Sequence, residues 1–393
     1  MNIDIGYSII QTSDGGYLIA GMRSSGYPWV IKTNTFGEVV WEKTFFRQAG
    51  PSSAFIEIIR GDGDNYVVVG TVWFFTRDIV CVKLGEDGDV SWNKTYGGNL
   101  TEFGKTIIKA SDNGYIIGGI KKSATIYDIW LIRINEEGNV IWNRTYDGGG
   151  SEDIYAITQT KDGGYLILGS TSSQNQKQTW LIKINKSGGI EWNRTYSYGI
   201  ANSITQAWDN GYIIAGSVEQ NGTDIIWISK INESGEIVWS KTYSSGASSS
   251  IIRSSDGNYI ILGSIRSNET DLEILLMKVD ENGNVIWNKT YGGAGDDIGF
   301  DITLASDGGY VIVGGTSSFG ADGFDVLLVK VNGSGTLEWI KTYSGSRYDV
   351  SCVAYLCGCI GFMDAVKRVF NIYVSIVNTI KLDFEAIRCV CSY

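Results

Sequence analysis

The chain has 393 residues, of which 43% are hydrophobic, with 51 glycines, 13 tryptophans and 22 tyrosines but only 2 prolines. This composition is typical of a globular protein with many short strands joined by glycine turns. There is no histidine, which excludes the catalytic triads and zinc sites that depend on histidine. The net charge is −11, whereas nucleic-acid binding needs a clustered basic surface, so we expect no nucleic-acid partner.

Three kinds of residue recur seven times at nearly constant spacing. A tyrosine is followed four residues later by a glycine, and these tyrosines are Tyr17, Tyr66, Tyr115, Tyr165, Tyr212, Tyr259 and Tyr310. A tryptophan is followed by a basic residue, a threonine and an aromatic residue, and these tryptophans are Trp41, Trp92, Trp142, Trp192, Trp239, Trp287 and Trp339. A further basic residue lies nine positions before each tryptophan, at Lys32, Lys83, Arg133, Lys183, Lys230, Lys278 and Lys330. The sequence therefore contains seven tandem repeats of about fifty residues.

Each repeat is predicted to form four antiparallel strands, a to d. In the fourth repeat these are residues 154–160, 165–169, 180–184 and 190–196, with glycine turns after strands a and c. Strands b and c are almost continuously apolar, which indicates that neighbouring sheets cover both faces. Radial stacking of like sheets meets this requirement, and the hairpin-built repeat disfavours a β-solenoid. We therefore predict an all-β, seven-bladed β-propeller of four-stranded antiparallel blades over residues 1–343, with no helix before residue 344.

Residues 344–393 do not continue the repeat. Asp349 and Val350 still fall where a next blade would begin, but tryptophan then disappears. Five cysteines crowd into this segment, at Cys352, Cys357, Cys359, Cys389 and Cys391. Two interpretations of the tail stay open, a broken eighth blade and a weakly helical segment rich in β-branched residues.

Length variation is concentrated at one end of the predicted blades. The interval from tyrosine to tryptophan runs from 24 to 29 residues, and this variation falls in the b–c loop, while the d–a connections also differ. In an up-and-down sheet these loops emerge on the same face, and loops on a rigid scaffold are where binding residues usually lie. We predict the ligand face there, with non-repeated aromatic candidates Trp73, Phe74, Phe75, Tyr127 and Phe319.

The same loops carry carboxylates able to ligate a hard cation such as calcium, which prefers carboxylate and carbonyl oxygens. Those retained as ligand-face candidates are Glu152, Asp153, Asp296 and Asp297. No loop has the spacing of an EF-hand, so we expect these residues to be solvated turn acids. We predict no catalytic residue, no metal ligand and no cofactor, and calcium is the one alternative that the pattern leaves open.

The two basic residues of each repeat could form an anion-binding ring. A side chain that recurs in every blade is instead expected to serve the blade itself. We predict that its methylene stem packs against tryptophan and tyrosine while its charged group reaches a carboxylate or water.

The repeat resembles those of known propeller families. A double glycine (Gly118 and Gly119), a loop, strand c, a turn and a tryptophan follow the plan of the kelch-type repeat, and residues 280–287 (DENGNVIW) resemble a motif of quinoprotein-dehydrogenase-like propellers. The stretches DGGYLILGSTSS and WLIKINKSGGIEWNRTY look like the repeat of archaeal and bacterial propeller proteins of the cell-surface type. The resemblance covers residues 4–343 and implies the architecture, because propellers host enzymes, receptors and scaffolds alike.

The predicted function is non-enzymatic binding of a protein or glycan through the variable loops, at or outside the cell surface. Sequons at Asn99, Asn221 and Asn268 favour exposure outside the cell. The alternatives are a polysaccharide-acting or quinoprotein-like enzyme and a structural module of a longer surface protein. Met1 opens directly into the first strand and no long apolar run occurs, so we expect no signal peptide and no membrane span.

Overall fold

A computed structural model describes residues 2–23, 26–50, 53–173, 176–266, 271–320 and 323–343. The two interpretations of the tail, residues 344–393, lie outside the described residues. Within them the chain forms seven sheets of four antiparallel strands each, with one short additional strand. No helix occurs among the described residues, so the predicted all-β propeller of seven four-stranded blades is confirmed.

The seven blades follow one another along the chain after a short first strand, β1 (Asn2–Ile3). Blades one to three contain β2 (Ile5–Gln11), β3 (Tyr17–Arg23), β4 (Tyr27–Thr33), β5 (Val39–Thr44); β6 (Ala54–Arg60), β7 (Asn65–Trp73), β8 (Arg77–Gly85), β9 (Val90–Tyr96); β10 (Glu102–Lys109), β11 (Tyr115–Ser123), β12 (Ile126–Ile134) and β13 (Val140–Tyr146). Blades four and five contain β14 (Ser151–Gln159), β15 (Tyr165–Ser173), β16 (Gln176–Ile184), β17 (Ile190–Tyr196); β18 (Ile200–Gln206), β19 (Tyr212–Gln220), β20 (Thr223–Ile231) and β21 (Ile237–Ser245). Blades six and seven contain β22 (Ala247–Arg253), β23 (Tyr259–Arg266), β24 (Leu272–Val279), β25 (Val285–Tyr291); β26 (Asp297–Leu304), β27 (Tyr310–Thr316), β28 (Gly323–Val331) and β29 (Leu337–Tyr343).

The blades close into a ring around their first strands. Each first strand contacts the first strand of the next blade, and β26 of blade seven contacts β2 of blade one. Apolar side chains of the two end blades also pack together, as Ile19 and Ile31 do with Val313 and Leu328. β1 pairs in parallel with the start of β28, which ties the first residues to blade seven. Strands b and c are buried on both faces because each lies between two neighbouring sheets.

A rim contact joins each blade to the next. The strand-d tryptophan packs on the glycine of the following c–d turn, so that a Cβ atom on Gly235 would lie 2.8 Å from the Trp192 ring. All seven turn glycines have φ between 73° and 81°, a conformation that favours glycine. In six contacts the aromatic residue four positions after the tryptophan is a tyrosine that donates to the glycine carbonyl, as Tyr146 Oη does to Gly188 at 2.9 Å. The ring is completed by Trp339 on Gly37, with Tyr343 Oη donating to Gly37 at 2.6 Å.

The first repeated basic column forms ion pairs in which the basic side chain is mostly buried and the aspartate is half-exposed. Lys32 Nζ lies 2.6 Å from Asp14 in the a–b turn, and the same pairing recurs in five further blades: Arg133–Asp112, Lys183–Asp162, Lys230–Asp209, Lys278–Asp256 and Lys330–Asp307. Burial alone would raise the pKa of Asp14, but the hydrogen bond from Lys32 lowers this pKa to about 2. Blade two has Gly63 at the aspartate position, and Lys83 pairs instead with Glu136 of blade three at 2.8 Å. The predicted structural role of this column is confirmed.

Strands b and c are longer than the sequence pattern predicts. In blade four the ladder runs from Tyr165 to Ser173 and from Gln176 to Ile184, beyond the predicted 165–169 and 180–184. The extra residues have polar side chains, which the predicted pattern of apolar residues does not include. Their backbone N–H and C=O groups nevertheless pair across the hairpin, and this pairing does not depend on the side chain. Much of the predicted b–c loop is therefore strand, and only a short turn is left at its tip.

We expect Trp192→Ala to destabilise the ring by about 2–3 kcal/mol. This is below the full cost of emptying a core position, because the Trp192 side chain is only half-buried. Tyr196→Phe removes one hydrogen bond to Gly235 and should cost about 1 kcal/mol. Urea unfolding would measure both changes, with Phe36→Ala as the control, since Phe36 is 66% exposed. A Trp192→Ala protein as stable as this control would show that the rim contact does not hold the blades together.

Candidate functional site

The variable face is the end of the ring formed by the b–c turns and the d–a connections between blades. Both kinds of segment differ in length from blade to blade, whereas the a–b and c–d turns at the opposite face follow one pattern. In blade two the b–c turn is residues 74–76, between β7 and β8, and the connection before it is residues 45–53. These two segments bring together the aromatic residues of the candidate site.

An aromatic patch lies at blades one to three and consists of Phe46, Trp73, Phe74, Phe75, Arg77 and Tyr127. Phe75 is 100% exposed and Phe74 is 45% exposed. The ring of Phe74 lies 6.5 Å from that of Phe46, which in turn lies 6.3 Å from the buried Phe55. Phe46 therefore links the ring of Phe74 to the core below it, while Phe75 projects into solvent.

Arg77 joins the turn to blade three. Its guanidinium lies 5.0 Å from the Trp73 ring and 5.5 Å from the ring of buried Phe103. Phe103 in turn lies 5.9 Å from Tyr127. Tryptophan, tyrosine, phenylalanine and arginine are the residues enriched in protein interfaces. Here they form two sets of contacts, Phe74 with Phe46 and Trp73 with Arg77 and Phe103.

Four of the five predicted aromatic residues belong to this patch, and sequence reasoning missed two of its members, Phe46 and Arg77. Phe46 has φ of 50°, a rare conformation for this residue type. The repeat pattern does not predict this conformation. Arg77 could have been recognised as a non-repeated cation two residues after the phenylalanines. Phe319 is half-buried and packs on the core between blades six and seven, so it does not belong to the patch.

The acidic candidates are mostly buried. The expectation of solvated turn acids is wrong for Glu152, Asp153 and Asp297, whereas Asp296 is half-buried and accepts a hydrogen bond from the Leu272 backbone at 3.0 Å. Asp153 lies 3.7 Å from Lys105 Nζ, which is buried as well. Glu152 and Asp153 are buried because strand a of blade four begins at Ser151 and not at residue 154 as predicted. Both acids therefore lie within the sheet.

Glu152 belongs to a cluster of three carboxylates between blades three and four. Asp128, Asp147 and Glu152 each offer an oxygen within 4.8 Å of the others. Burial raises the pKa of Glu152, and burial together with the charge of Asp147 raises the pKa of Asp128. Sequence reasoning missed Asp128 and Asp147, because strand c and the end of strand d supply them and only the folded junction brings them to Glu152.

Two further carboxylates lie where the first strands line the centre of the ring. Glu57 accepts a hydrogen bond from the Ile107 backbone of the next blade at 2.6 Å, and Asp301 accepts one from the Ile9 backbone at 3.1 Å. Burial raises the pKa of Glu57 to about 7 and also raises the pKa of Asp301. Their hydrogen bonds link neighbouring blades around the axis, a role that accounts for both residues without a ligand.

Comparison with solved structures finds β-propellers. Sqt1 from Chaetomium thermophilum is 14% identical, with a TM-score of 0.50 over 88% of this chain and 88% of that one. The Dos1 propeller is 10% identical, with a TM-score of 0.51 over 86% and 83% of the two chains. A quinohemoprotein alcohol dehydrogenase from Comamonas testosteroni is 9% identical, with a TM-score of 0.46 over 87% and 68%. At these identities the similarity to Sqt1 and to the Dos1 propeller shows the propeller fold alone.

The sequence itself matches no protein-family profile and no characterised protein. Among the described residues there is no helix of the length and apolar character needed to cross a membrane.

We expect the stability of the protein to fall as the pH rises from about 4.5 to about 7, in part because of Glu57. The unfolded chain loses this proton with a pKa near 4.5, whereas the folded protein holds it until about pH 7, so deprotonation favours unfolding across this window. Glu57→Gln keeps the acceptor for Ile107 without the charge. It should stabilise the protein at pH 8 by about 1–3 kcal/mol more than at pH 4.5.

Urea unfolding at a series of pH values would measure this difference, with exposed Glu137→Gln as the control. A Glu57→Gln protein whose stability runs parallel to the wild type at every pH would contradict a raised pKa at this position.

Proposed function

We propose that this propeller is a non-enzymatic binding module whose aromatic patch captures a protein partner. The observation that carries the proposal is the exposure of Phe74 and Phe75 at the tip of blade two. A fully exposed phenylalanine beside a second one has no role in the core of the blade. Exposed apolar groups rimmed by polar residues are typical of interaction sites.

The surroundings of the patch support an interface that is formed in advance. Phe46 supports Phe74 from below, and Arg77 is held between two aromatic rings. Side chains already fixed by packing lose less conformational entropy on binding. Arg77 also keeps a charged group at the patch, which suits a partner that presents a carboxylate beside apolar side chains.

Loss of the two exposed rings tests this function. The whole chain would be screened against a displayed peptide library and against a glycan array, and each positive partner would be measured again with Phe74→Ser/Phe75→Ser. We expect peptide ligands that lose at least about tenfold in affinity, as when residues at the centre of an interface are truncated. The matched control is Phe36→Ser, because Phe36 is an exposed phenylalanine in a c–d turn at the opposite face.

Two outcomes would contradict the proposal. Ligands that bind the double variant as tightly as the wild type would place the working surface elsewhere. Hits restricted to the glycan array would show that carbohydrate, and not protein, is recognised.

We also propose that the protein acts at or outside the cell surface. The sequons at Asn99 and Asn221 are on exposed residues, which supports exposure to glycosylating enzymes, while Asn268 lies outside the described residues. Protease treatment of intact cells should remove the protein. Complete protection until the cells are lysed would contradict this location.

A further inference from the structure

We infer that the junction between blades three and four binds a calcium ion through Asp128, Asp147 and Glu152. The inference does not depend on the proposed function, because it concerns a metal site and not the aromatic patch. Its ligands come from three places in the fold: β12 of blade three, the residue after β13, and β14 of blade four. The site therefore forms only when the two blades meet.

Two of these carboxylates are buried with an oxygen that has no hydrogen-bond partner. Asp128 is 7% exposed and Glu152 is 2% exposed, and Oδ1 of Asp128 and Oε2 of Glu152 are both unpaired. A buried carboxylate oxygen without a partner is costly. The ion pairs of the described residues include none with Asp128, Asp147 or Glu152, so no lysine or arginine there relieves the repulsion. A bound cation would do so.

The geometry suits a single ion. The three carboxylates each have an oxygen within 4.8 Å of the others, and two oxygens on opposite sides of a calcium ion lie about 5 Å apart. The Glu152 side chain is held in place, because its Oε1 accepts hydrogen bonds from Thr171 Oγ1 at 2.8 Å and from the Gly150 backbone at 3.0 Å. Its other oxygen is the one that is left unpaired.

The ligand chemistry of the cluster favours calcium over other cations. The connection over the cluster runs Asp147-Gly-Gly-Gly, with φ of 86° at Gly149, and its backbone holds two of the carboxylates in place. Gly149 N–H donates to Asp147 Oδ1 at 2.7 Å and Gly150 N–H donates to Glu152 Oε1 at 3.0 Å. Calcium accepts six to eight oxygen ligands in flexible geometry, whereas magnesium demands a near-ideal octahedron. Zinc is disfavoured because the cluster offers neither a cysteine nor a histidine.

The repeat positions of Asp128 and Glu152 are acidic at three other junctions. Asp78 and Glu102 take them between blades two and three, Glu273 and Asp297 between blades six and seven, and Asp325 and Asp4 between blades seven and one. Both oxygens of Glu102 and Oδ1 of Asp297 are buried without a hydrogen-bond partner, whereas Asp325 and Asp4 have other partners, so we expect no site between blades seven and one. The other two junctions have glycine, at Gly97 and Gly292, where the junction between blades three and four has Asp147. With one carboxylate fewer, we expect these two to bind calcium more weakly.

Lys121 further distinguishes the junction between blades two and three. Its Nζ lies 3.8 Å from Glu102 Oε1, close enough for an ion pair but too long for a hydrogen bond. A lysine at that distance partly neutralises the carboxylate pair, which lowers its need for a metal ion. The cluster with Asp147 is therefore the tightest of the three expected sites.

The test is calcium titration of the whole chain after removal of metal with a chelator. Calorimetry with calcium chloride gives the affinity, and melting curves in calcium and in chelator give the stabilisation that mass action predicts. Asp147→Asn is the decisive variant because Asp147 is exposed, so its loss should leave the fold intact. We expect it to weaken the tightest site by at least about tenfold, since calcium affinity follows ligand charge.

Glu137→Gln is the matched control, an exposed carboxylate in the c–d turn of the same blade. It should bind calcium as the wild type does. Glu152→Gln should abolish the tightest site and raise the melting temperature in chelator, because it removes one of the repelling charges. A magnesium titration should show weaker binding than calcium in the wild type.

Three results would overturn the inference. The first is a wild-type melting temperature that is the same in millimolar calcium and in chelator. The second is calcium binding that is unchanged in both Asp147→Asn and Glu152→Gln, which would place the ion elsewhere. The third is magnesium binding as tight as calcium binding.

Discussion

The packing of a tryptophan on a glycine turn of the next blade is the contact on which this ring depends. A four-stranded blade cannot bury both of its faces alone, and its neighbours must approach at the same angle all around the axis. The rim contact sets that angle at the outer edge, because the indole of Trp192 leaves no room for a Cβ atom on Gly235. The tyrosine hydroxyl then fixes the turn by bonding its carbonyl in six of the seven contacts.

The repeated residues and the individual residues divide the work of the molecule. Lysine–aspartate and arginine–aspartate pairs such as Lys278 and Asp256 link strand c to the a–b turn in six of the seven blades. Residues that occur in only one blade, such as Phe75 or Asp147, are not part of these repeated contacts and are available for binding. The two ends of each blade thus differ in role. The a–b and c–d turns contribute to stability, and the opposite face carries the candidate binding residues.

The sequence predicted the architecture because the spacing of tyrosine, glycine and tryptophan is a local property of each repeat. The role of the first basic column was predictable for the same reason. The pairing of Lys83 with Glu136 of the next blade was not predictable. The burial of Glu152 was predicted wrongly, since strand a begins earlier than its apolar residues do. Asp128 shows why the sequence alone does not predict such clusters. Its partner Glu152 lies in the next blade, and only the folded ring brings the two positions together.

The junction between blades seven and one repeats the chemistry of the other six. Trp339 and Tyr343 meet Gly37 as Trp192 and Tyr196 meet Gly235, and the four main strands of every blade are consecutive in the chain, with β1 added to blade seven from the start of the chain. A circular permutation that opens a connection between two other blades would consequently keep the tryptophan–glycine contact at all seven junctions. Duplication or loss of a whole repeat would likewise keep the same residue pair at each junction, but the rim contact would have to hold neighbouring blades at a different angle.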